Sequence, residues 1–490
     1  MKNQAQLVTY VDRLSGGGFR ELARLIDGPL AGVFGGVHVL PFFYPIDGAD
    51  AGFDPIDHTA VDPQLGTWDD VRALASRTAI MADLIVNHVS RRSPQFLDFD
   101  ARGDASPYAG LFLTFEHVFP QGARESDLLA IHAIRPGLPF TQHRTAHGTR
   151  VLLWTTFTSE QVDIDVHHPE GRRYLDAILA RFQETGIRAI RVDAAGFSVK
   201  KAGTSCFMIP ETLAFIADLT ARAHARGLEV LVEVHGHYLS QAHLAQQVDW
   251  VYDFVLPALV LHTLYTRDAT SLVRWIDIRP RNSVSVLDTH DGIGVLDAGP
   301  DAGGRPGLLT AEEIRAVVEQ IHERSGGQSL AATGGAASNL DADQINCTFY
   351  DALGGRDEEH LVARAIQCVL PGIPQVYYVG LLAGRNDMAL LSRTGVGRDI
   401  NRHYFTPEEM PQQVRRPVVE KTLALLKVRN THPAFGGVFD ASASTGDRLV
   451  LRWSHETDWI RLDVDLLAMH AAVTSSADRD PVWSSTPRKK

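Results

Sequence analysis

Three acidic residues, Asp193, Glu233 and Asp291, each lie just after an apolar run of strand length. Carboxylates are suited to proton transfer and nucleophilic attack, and the small residues after Asp193 would let another molecule approach the backbone closely. His235 adds an imidazole two residues after Glu233. Three strands that each deliver an acid at the carboxyl end predict one active site shared by several strands. The alternative is that each acid is only a strand-end cap or a turn residue.

The elements that would position these acids are strands that alternate with helices. Continuous apolar runs such as Ala79–Val86 indicate strands buried on both faces, as in a parallel sheet covered by helices. Runs of this kind lie near residues 6, 37, 79, 187, 228, 250, 284 and 373. Eight strands in alternation with helices predict an α/β fold, a (β/α)8 TIM barrel. Among the intervening helices, we predict one at 240–247 with Ser240 as its N-cap.

Two long stretches interrupt the alternation and are predicted to be inserted domains. Residues 87–168 are loop-rich and aromatic, and they are too long for a strand-to-helix connection. Residues 292–355 contain several glycine pairs. The predicted domains are barrel residues 1–86, inserted domain B at 87–168, barrel residues 169–291, inserted domain B' at 292–355, barrel residues 356–434 and a small C-terminal β domain at 435–490.

The composition limits the classes of partner. The 490-residue chain has a formal net charge of −12, which argues against nucleic-acid or anionic-membrane partners. It has no N-terminal apolar segment of signal-peptide length, and no uncharged apolar run approaches the ~18 residues of a membrane span. Three cysteines, Cys206, Cys347 and Cys368, form no disulfide framework and fit a reducing cytoplasm. No metal-binding or P-loop motif appears, so we expect no metal and no other cofactor.

The strand ends resemble the signature regions of the α-amylase clan, glycoside hydrolase family 13. The segments that carry this resemblance are Asp83–His88, Ile190–Ala195, Glu233 and Leu287–Asp291. Within the clan, the chain is similar to sucrose phosphorylases and their close relatives over roughly residues 1–435. This narrower resemblance rests on segments such as GVHVLPFFYPIDGADAGFDPIDHTAVD, VLDTHDGIGV and GRDINRHY.

The resemblance implies a retaining phosphorylase that converts sucrose and phosphate reversibly into α-D-glucose 1-phosphate and fructose, with transglucosylation as a side reaction. Asp193 would be the nucleophile and form a glucosyl ester, Glu233 the general acid/base, and Asp291 a third carboxylate that holds sugar hydroxyls. Arg191, on the same strand face as Asp193, would keep that nucleophile ionised. Burial is expected to keep Glu233 protonated before the first attack.

The resemblance also implies a set of sugar and phosphate ligands. His88 and His290 would donate to glucosyl hydroxyls, and Arg135 and His235 would bind phosphate together with the backbone of 334–340. The predicted substrate-binding residues are Asp50, Phe53, His88, Arg135, Phe157, Arg191, His235, His290, Asp341, Asp343, Gln344 and Arg398. Asp50 and Arg398 would anchor the far side of the ring, and Phe53 and Phe157 would offer it apolar faces.

Some of these ligands have a purely structural alternative. Core packing explains Phe53 and Phe157 as well as substrate contact does, and His88 fits a hydrogen-bonded histidine at a strand end. Because members of this family are often dimers, the resemblance also predicts a homodimer.

The acceptor side departs from the family pattern. Tyrosine is usual in sucrose phosphorylases where this chain has His132, Phe197 and Asp343. A carboxylate at 343 suits polyol hydroxyls and repels a phosphorylated sugar, so glucosylglycerol is the main rival substrate and sucrose 6'-phosphate a weaker one. Asp343 could also point into solvent and change little. A hydrolase of the same clan would use the same three carboxylates with water, and a non-enzymatic sugar sensor would normally have lost one of them.

Overall fold

The computed structural model describes residues 1–48, 50–134, 137–301, 303–333, 344–478 and 480–486. These residues form two compact units. The first unit contains residues 1–38, 235–246 and 250–490, and the second unit contains residues 39–234 and 247–249. The predicted domain boundaries stay predictions.

Eight parallel strands form a closed barrel in which each strand neighbours the next along the chain, as predicted. The strands are β1 Gln6–Thr9, β2 Gly36–Val39, β3 Ala79–Ile85, β4 Ala189–Asp193, β5 Glu229–Val232, β6 Trp250–Asp253, β7 Ser283–Ser285 and β8 Ile373–Tyr377. Six of the seven residues of β3 are fully buried, which confirms that its continuous apolar run packs on both faces. All eight predicted strand positions are therefore correct.

The remaining strands pair locally. A five-stranded antiparallel sheet confirms the small C-terminal β domain, with strands Val438–Asp440, Arg448–His455, Asp458–Asp465, His470–Ser475 and Trp483–Ser484. Four two-stranded sheets pair Phe43–Tyr44 with Asp57–Val61, His88–Ser90 with Gln161–Asp163, Phe140–Arg144 with Arg150–Trp154, and Ile293–Gly294 with Gln344–Ile345.

The helices follow the predicted alternation. Those of eight residues or more are Phe19–Asp27, Trp68–Ala75, Pro94–Arg102, Pro169–Thr185, Pro210–His224, Leu256–Thr266, Thr270–Ile278, Ala311–Arg324, Asp357–Val369 and Pro417–Thr431. The shorter ones are Val11–Ser15, Phe115–Val118, Glu125–Leu129, Tyr238–Leu244, Gln328–Thr333, Phe349–Ala352, Tyr378–Leu381, Met388–Thr394 and Met410–Gln413. None of the helices in the described ranges is both long and apolar enough to cross a membrane.

The N-cap predicted at Ser240 is wrong. The helix spans Tyr238–Leu244, and its N-cap is His237, whose imidazole Nδ1 accepts a hydrogen bond from the Leu239 N–H at 3.4 Å. Histidine is an uncommon cap, so the sequence favoured the serine three residues later. The three cysteines are all buried free thiols.

Candidate active site

The second unit places one arginine among three carboxylates. In the barrel register Arg191 on β4 lies beside Asp83 on β3, and Asp193 follows two residues later on the same face. The Arg191 Nη1 contacts the Asp83 carboxylate and donates to Asp193 Oδ1 at 2.9 Å, while Nη2 contacts Glu233 Oε1. We call Asp83, Arg191, Asp193 and Glu233 the carboxylate cluster.

The carboxylate cluster is shielded from water. The Arg191 side chain is 2% exposed, and those of Asp193 and Glu233 are each 11% exposed. A buried carboxylate without a nearby cation would favour its protonated form, and the contact with Arg191 favours the ionised form of Asp193. The arrangement can therefore supply one ionised carboxylate and one neighbour that exchanges a proton.

A strained turn after Asp193 contacts Glu233. Ala194 has φ of 52°, a left-handed conformation that is uncommon outside glycine, and its backbone N–H donates to Glu233 Oε2 at 3.2 Å. The residue after Asp193 thus also fixes the position of the Glu233 carboxylate. Such strain is often found at functional sites.

His88 and Phe53 form a buried layer next to this cluster. The Arg191 guanidinium lies over the Phe53 ring at 5.3 Å, and Phe53 is only 4% exposed. The His88 Nε2 lies 2.9 Å from the Phe53 carbonyl, which accepts the hydrogen bond in the tautomer that carries a proton on Nε2. Burial lowers the pKa of His88 and so favours the neutral ring. The sugar contacts predicted for both residues stay predictions.

Gln161 and Phe157 continue this layer. The Gln161 amide contacts His88 Nε2 at 3.1 Å and Asp50 Oδ2 at 3.4 Å, which joins two predicted sugar ligands. The half-buried Phe157 ring lies 5.2 Å from the His88 ring and lines a cavity of about 330 Å³. That volume is at the lower end of the range for small-molecule sites.

Aromatic rings form part of the cavity wall. His132 and Phe197 both line it, and their ring centroids are 5.9 Å apart. His132 also stacks on Phe207 at 4.4 Å. Two positions at which this chain departs from the family's usual tyrosine thus lie together on one cavity.

The first unit places two arginines around one carboxylate. Arg398 Nη1 lies 2.7 Å from Asp291 Oδ1, and Arg402 Nη2 lies 3.7 Å from the same oxygen. His290 Nε2 lies 3.4 Å from Asp291 Oδ2. Arg402 is 1% exposed, and its Nε donates to the His290 carbonyl at 2.8 Å. We call His290, Asp291, Arg398 and Arg402 the arginine cluster.

His235, also in the first unit, is held on three sides. Its Nδ1 lies 3.4 Å from Asp297 Oδ2, and its Nε2 lies 2.7 Å from the Gln344 side-chain amide. Its ring stacks on Phe254 with centroids 3.9 Å apart. Two predicted acceptor ligands, His235 and Gln344, are therefore in contact.

Comparison with known proteins identifies the family. The family described as alpha amylase, catalytic domain, matches residues 33–218. A sucrose phosphorylase of Agrobacterium vitis is 57% identical over 484 residues, which cover 99% of each chain. The chain belongs to the sucrose phosphorylase family of the α-amylase clan.

Two further relatives of this chain are named for other glucoside substrates. A glucosylglycerol phosphorylase of Marinobacter adhaerens is 39% identical over 95% of each chain. The solved structure of sucrose 6F-phosphate phosphorylase from Thermoanaerobacter thermosaccharolyticum superimposes with a TM-score of 0.89 at 36% identity, covering 97% of this chain and 96% of that one.

Three of the predicted ligands, Arg135, Asp341 and Asp343, lie outside the described residues, as does the predicted phosphate-binding backbone of 334–340. Among the residues that the structure does describe, no three His, Cys, Asp or Glu side chains are grouped so as to hold a metal ion.

Sequence reasoning missed Asp83, Arg402 and Asp297, each of which contacts a predicted site residue. The strand register could have indicated Asp83, because β3 and β4 are neighbours along the barrel. Asp297 and Arg402 had no such signal, because loops bring them to their partners.

Proposed function

We propose that this enzyme is a retaining sucrose phosphorylase that cleaves sucrose with inorganic phosphate to give α-D-glucose 1-phosphate and fructose. The observation that carries the proposal is the shared contact of Arg191 with Asp193 and Glu233 in a buried cluster. Its 57% identity to a sucrose phosphorylase over nearly the whole chain supports the same reaction.

In the first step Asp193 attacks the anomeric carbon of the glucosyl group. The bond from that carbon to the fructose oxygen breaks, and Glu233 donates a proton to the leaving oxygen. Asp291 would bind sugar hydroxyls in the distorted transition state.

In the second step an oxygen of hydrogen phosphate attacks the anomeric carbon and the ester bond to Asp193 breaks. Glu233 accepts the phosphate proton, and α-glucose 1-phosphate leaves with retained configuration. Because Asp193 is a neutral ester at this stage, the charge of Arg191 is left to stabilise an ionised Glu233 as the base. The Arg191 guanidinium thus serves Asp193 in the first step and Glu233 in the second.

Glucosylglycerol is the second candidate substrate. It is favoured by Asp343 in place of tyrosine and by the stack of His132 on Phe207 beside the cavity. Both features replace tyrosine hydroxyls on the acceptor side while leaving the carboxylate cluster as it is. The mechanism on this substrate would be the same.

The test is release of glucose 1-phosphate, with and without phosphate, from sucrose and from 2-O-α-glucosylglycerol in parallel. Faster phosphate-dependent release from sucrose is the expected result. Faster release from glucosylglycerol would replace sucrose with the second candidate. Free glucose from both, with no dependence on phosphate, would overturn the phosphorylase proposal in favour of a hydrolase.

We also infer a cytoplasmic homodimer. Three buried, unpaired thiols support a reducing compartment. Light scattering coupled to size-exclusion chromatography would test the dimer. The expected molar mass is about twice the 53.8 kDa of one chain.

A further inference from the structure

Asp297 is a buried carboxylate with both oxygens engaged. It is 2% exposed, and Oδ1 accepts from the Gly236 N–H at 2.8 Å and from Gln241 Nε2 at 2.9 Å. Its second oxygen, Oδ2, faces His235 Nδ1 at 3.4 Å. The two hydrogen bonds to Oδ1 fix the rotation of the carboxylate, so Oδ2 is held toward the imidazole.

This contact determines which ring nitrogen of His235 carries a proton. An ionised carboxylate can only accept, so Nδ1 is the protonated nitrogen in the neutral ring. Phe254 stacks on the ring, and Nε2 on the other side of the imidazole from Nδ1 lies 2.7 Å from the Gln344 amide. The Gln344 amide can present either N–H or C=O, so it accommodates an Nε2 that accepts or one that donates.

We propose that Asp297 is a positioning residue that keeps the Nδ1 proton on His235 and thereby lets one ring serve two kinds of acceptor. In either complex the ligand takes the place of the Gln344 amide at Nε2. With a sugar bound, neutral Nε2 accepts a hydrogen bond from a hydroxyl group. With phosphate bound, the ring takes up a second proton, and Nε2–H donates to a phosphate oxygen as a charge-assisted hydrogen bond. The inference rests on the proposed function and on the role of phosphate ligand that the family resemblance predicts for His235.

Replacement of Asp297 by asparagine would move the proton of the neutral His235 ring from Nδ1 to Nε2. The amide oxygen would take the place of Oδ1, because Gly236 and Gln241 both present N–H groups there. The amide NH2 would then face His235 Nδ1, which would have to accept. The proton would move to Nε2, and the positively charged ring would face a donor instead of an acceptor.

The experiment measures how the glucosyl-enzyme divides between phosphate and water. Asp297→Asn is incubated with sucrose and increasing phosphate, and the ratio of glucose 1-phosphate to free glucose is recorded. Because both products form from one intermediate, the ratio is independent of the first step. We expect the phosphate concentration that gives equal amounts of both products to rise about tenfold, the difference between a charge-assisted and a neutral hydrogen bond.

Asp301→Asn is the matched control. It makes the same change four residues further on, where the carboxylate contacts Arg305, and it should leave the ratio at the wild-type value. An unchanged ratio in Asp297→Asn would overturn the proposal. So would a parallel fall of phosphorolysis and hydrolysis, which indicates general structural damage.

His235→Asn provides a test that does not depend on the folding of Asp297→Asn. It should shift the ratio at least as far, and combining it with Asp297→Asn should add little, because Asp297 acts through the ring. A wild-type ratio in His235→Asn, or additive effects in the double variant, would contradict the proposal. Failure of the proposed function itself would be seen separately, because the wild-type enzyme would then release no glucose 1-phosphate from sucrose.

Discussion

The carboxylate cluster and the arginine cluster have opposite charge balances. In the first, one guanidinium serves three carboxylates. In the second, two guanidinium groups surround the single carboxylate of Asp291. Solvent screens the carboxylate cluster poorly because all its side chains are buried or nearly so, whereas the Arg398 side chain of the arginine cluster is 37% exposed.

The difference indicates different chemical duties. A carboxylate that shares its cation with two others keeps the capacity to react or to exchange a proton, which suits Asp193 and Glu233. A carboxylate with two cations is held ionised and fixed in position, which suits a group that only binds hydroxyls. Each cluster can be perturbed separately by substituting one of its own residues.

Asp193→Asn should have the largest effect. The amide is nearly isosteric but is a poor nucleophile, so kcat should fall by at least ~10⁴-fold while the fold remains intact. Turnover is measured as glucose 1-phosphate release and folding as the thermal midpoint. Activity above a few per cent of wild type would rule out Asp193 as the nucleophile.

Arg191→Met should be the most destabilising change. It leaves three neighbouring carboxylates without their shared cation, and breaking a buried ion pair in this way costs about 3–5 kcal/mol. The free energy of unfolding is measured in urea at pH 7. Arg172→Met is the control, because its partner Asp218 is half exposed and the loss should stay below ~1 kcal/mol. Equal losses in the two variants would contradict a buried charge network.

Arg402→Met tests the arginine cluster. The variant loses the hydrogen bond that holds the His290 carbonyl and one of the two cations near Asp291. We expect kcat/KM for sucrose to fall about 100-fold, in line with the loss of a buried group that fixes the geometry of a site.

Arg398→Lys is the comparison for this variant. Its side chain is 37% exposed and the charge is kept, so the fall should be about tenfold or less. A smaller effect at Arg402 than at Arg398 would show that the buried arginine does not hold the cluster.

The buried His58, next to the carboxylate cluster, makes the stability of the fold depend on pH. Its Nε2 lies 3.1 Å from the Asp83 carbonyl, and burial lowers the pKa of His58 from 6.5 to about 4. The unfolded chain therefore takes up a proton below pH 6.5 that the folded chain takes up only near pH 4. Stability should be lost as the pH falls through this window, by about 2 kcal/mol at pH 5 relative to pH 7.

His58→Asn should remove this part of the pH dependence while lowering stability at pH 7 through lost packing. Urea titrations at pH 7 and pH 5 measure both variants. If the free energy of unfolding falls by the same amount between pH 7 and pH 5 in His58→Asn as in wild type, the histidine is not the source of the acid sensitivity.

The sequence predicted the barrel better than the contacts inside it. Continuous apolar runs locate all eight strands because burial on both faces leaves no room for polar alternation. The acids at the strand ends follow from the same pattern. The contacts of those acids do not follow from that pattern. Asp83 and Arg191, for example, are 108 positions apart in the sequence, and only the strand register brings them together. Arg402 and Asp297 lie on connections whose paths no local pattern encodes.

The buried thiols have a practical consequence for work with the enzyme. Burial raises the pKa of Cys368 to about 12 and that of Cys347 also well above its usual range, and Cys206 is buried too. At neutral pH only about one Cys368 side chain in 10⁵ is the thiolate that reacts with a maleimide. A single cysteine introduced on the surface would therefore label selectively in the native enzyme, so a fluorophore or a solid support could be attached at a chosen point without first removing the three natural cysteines.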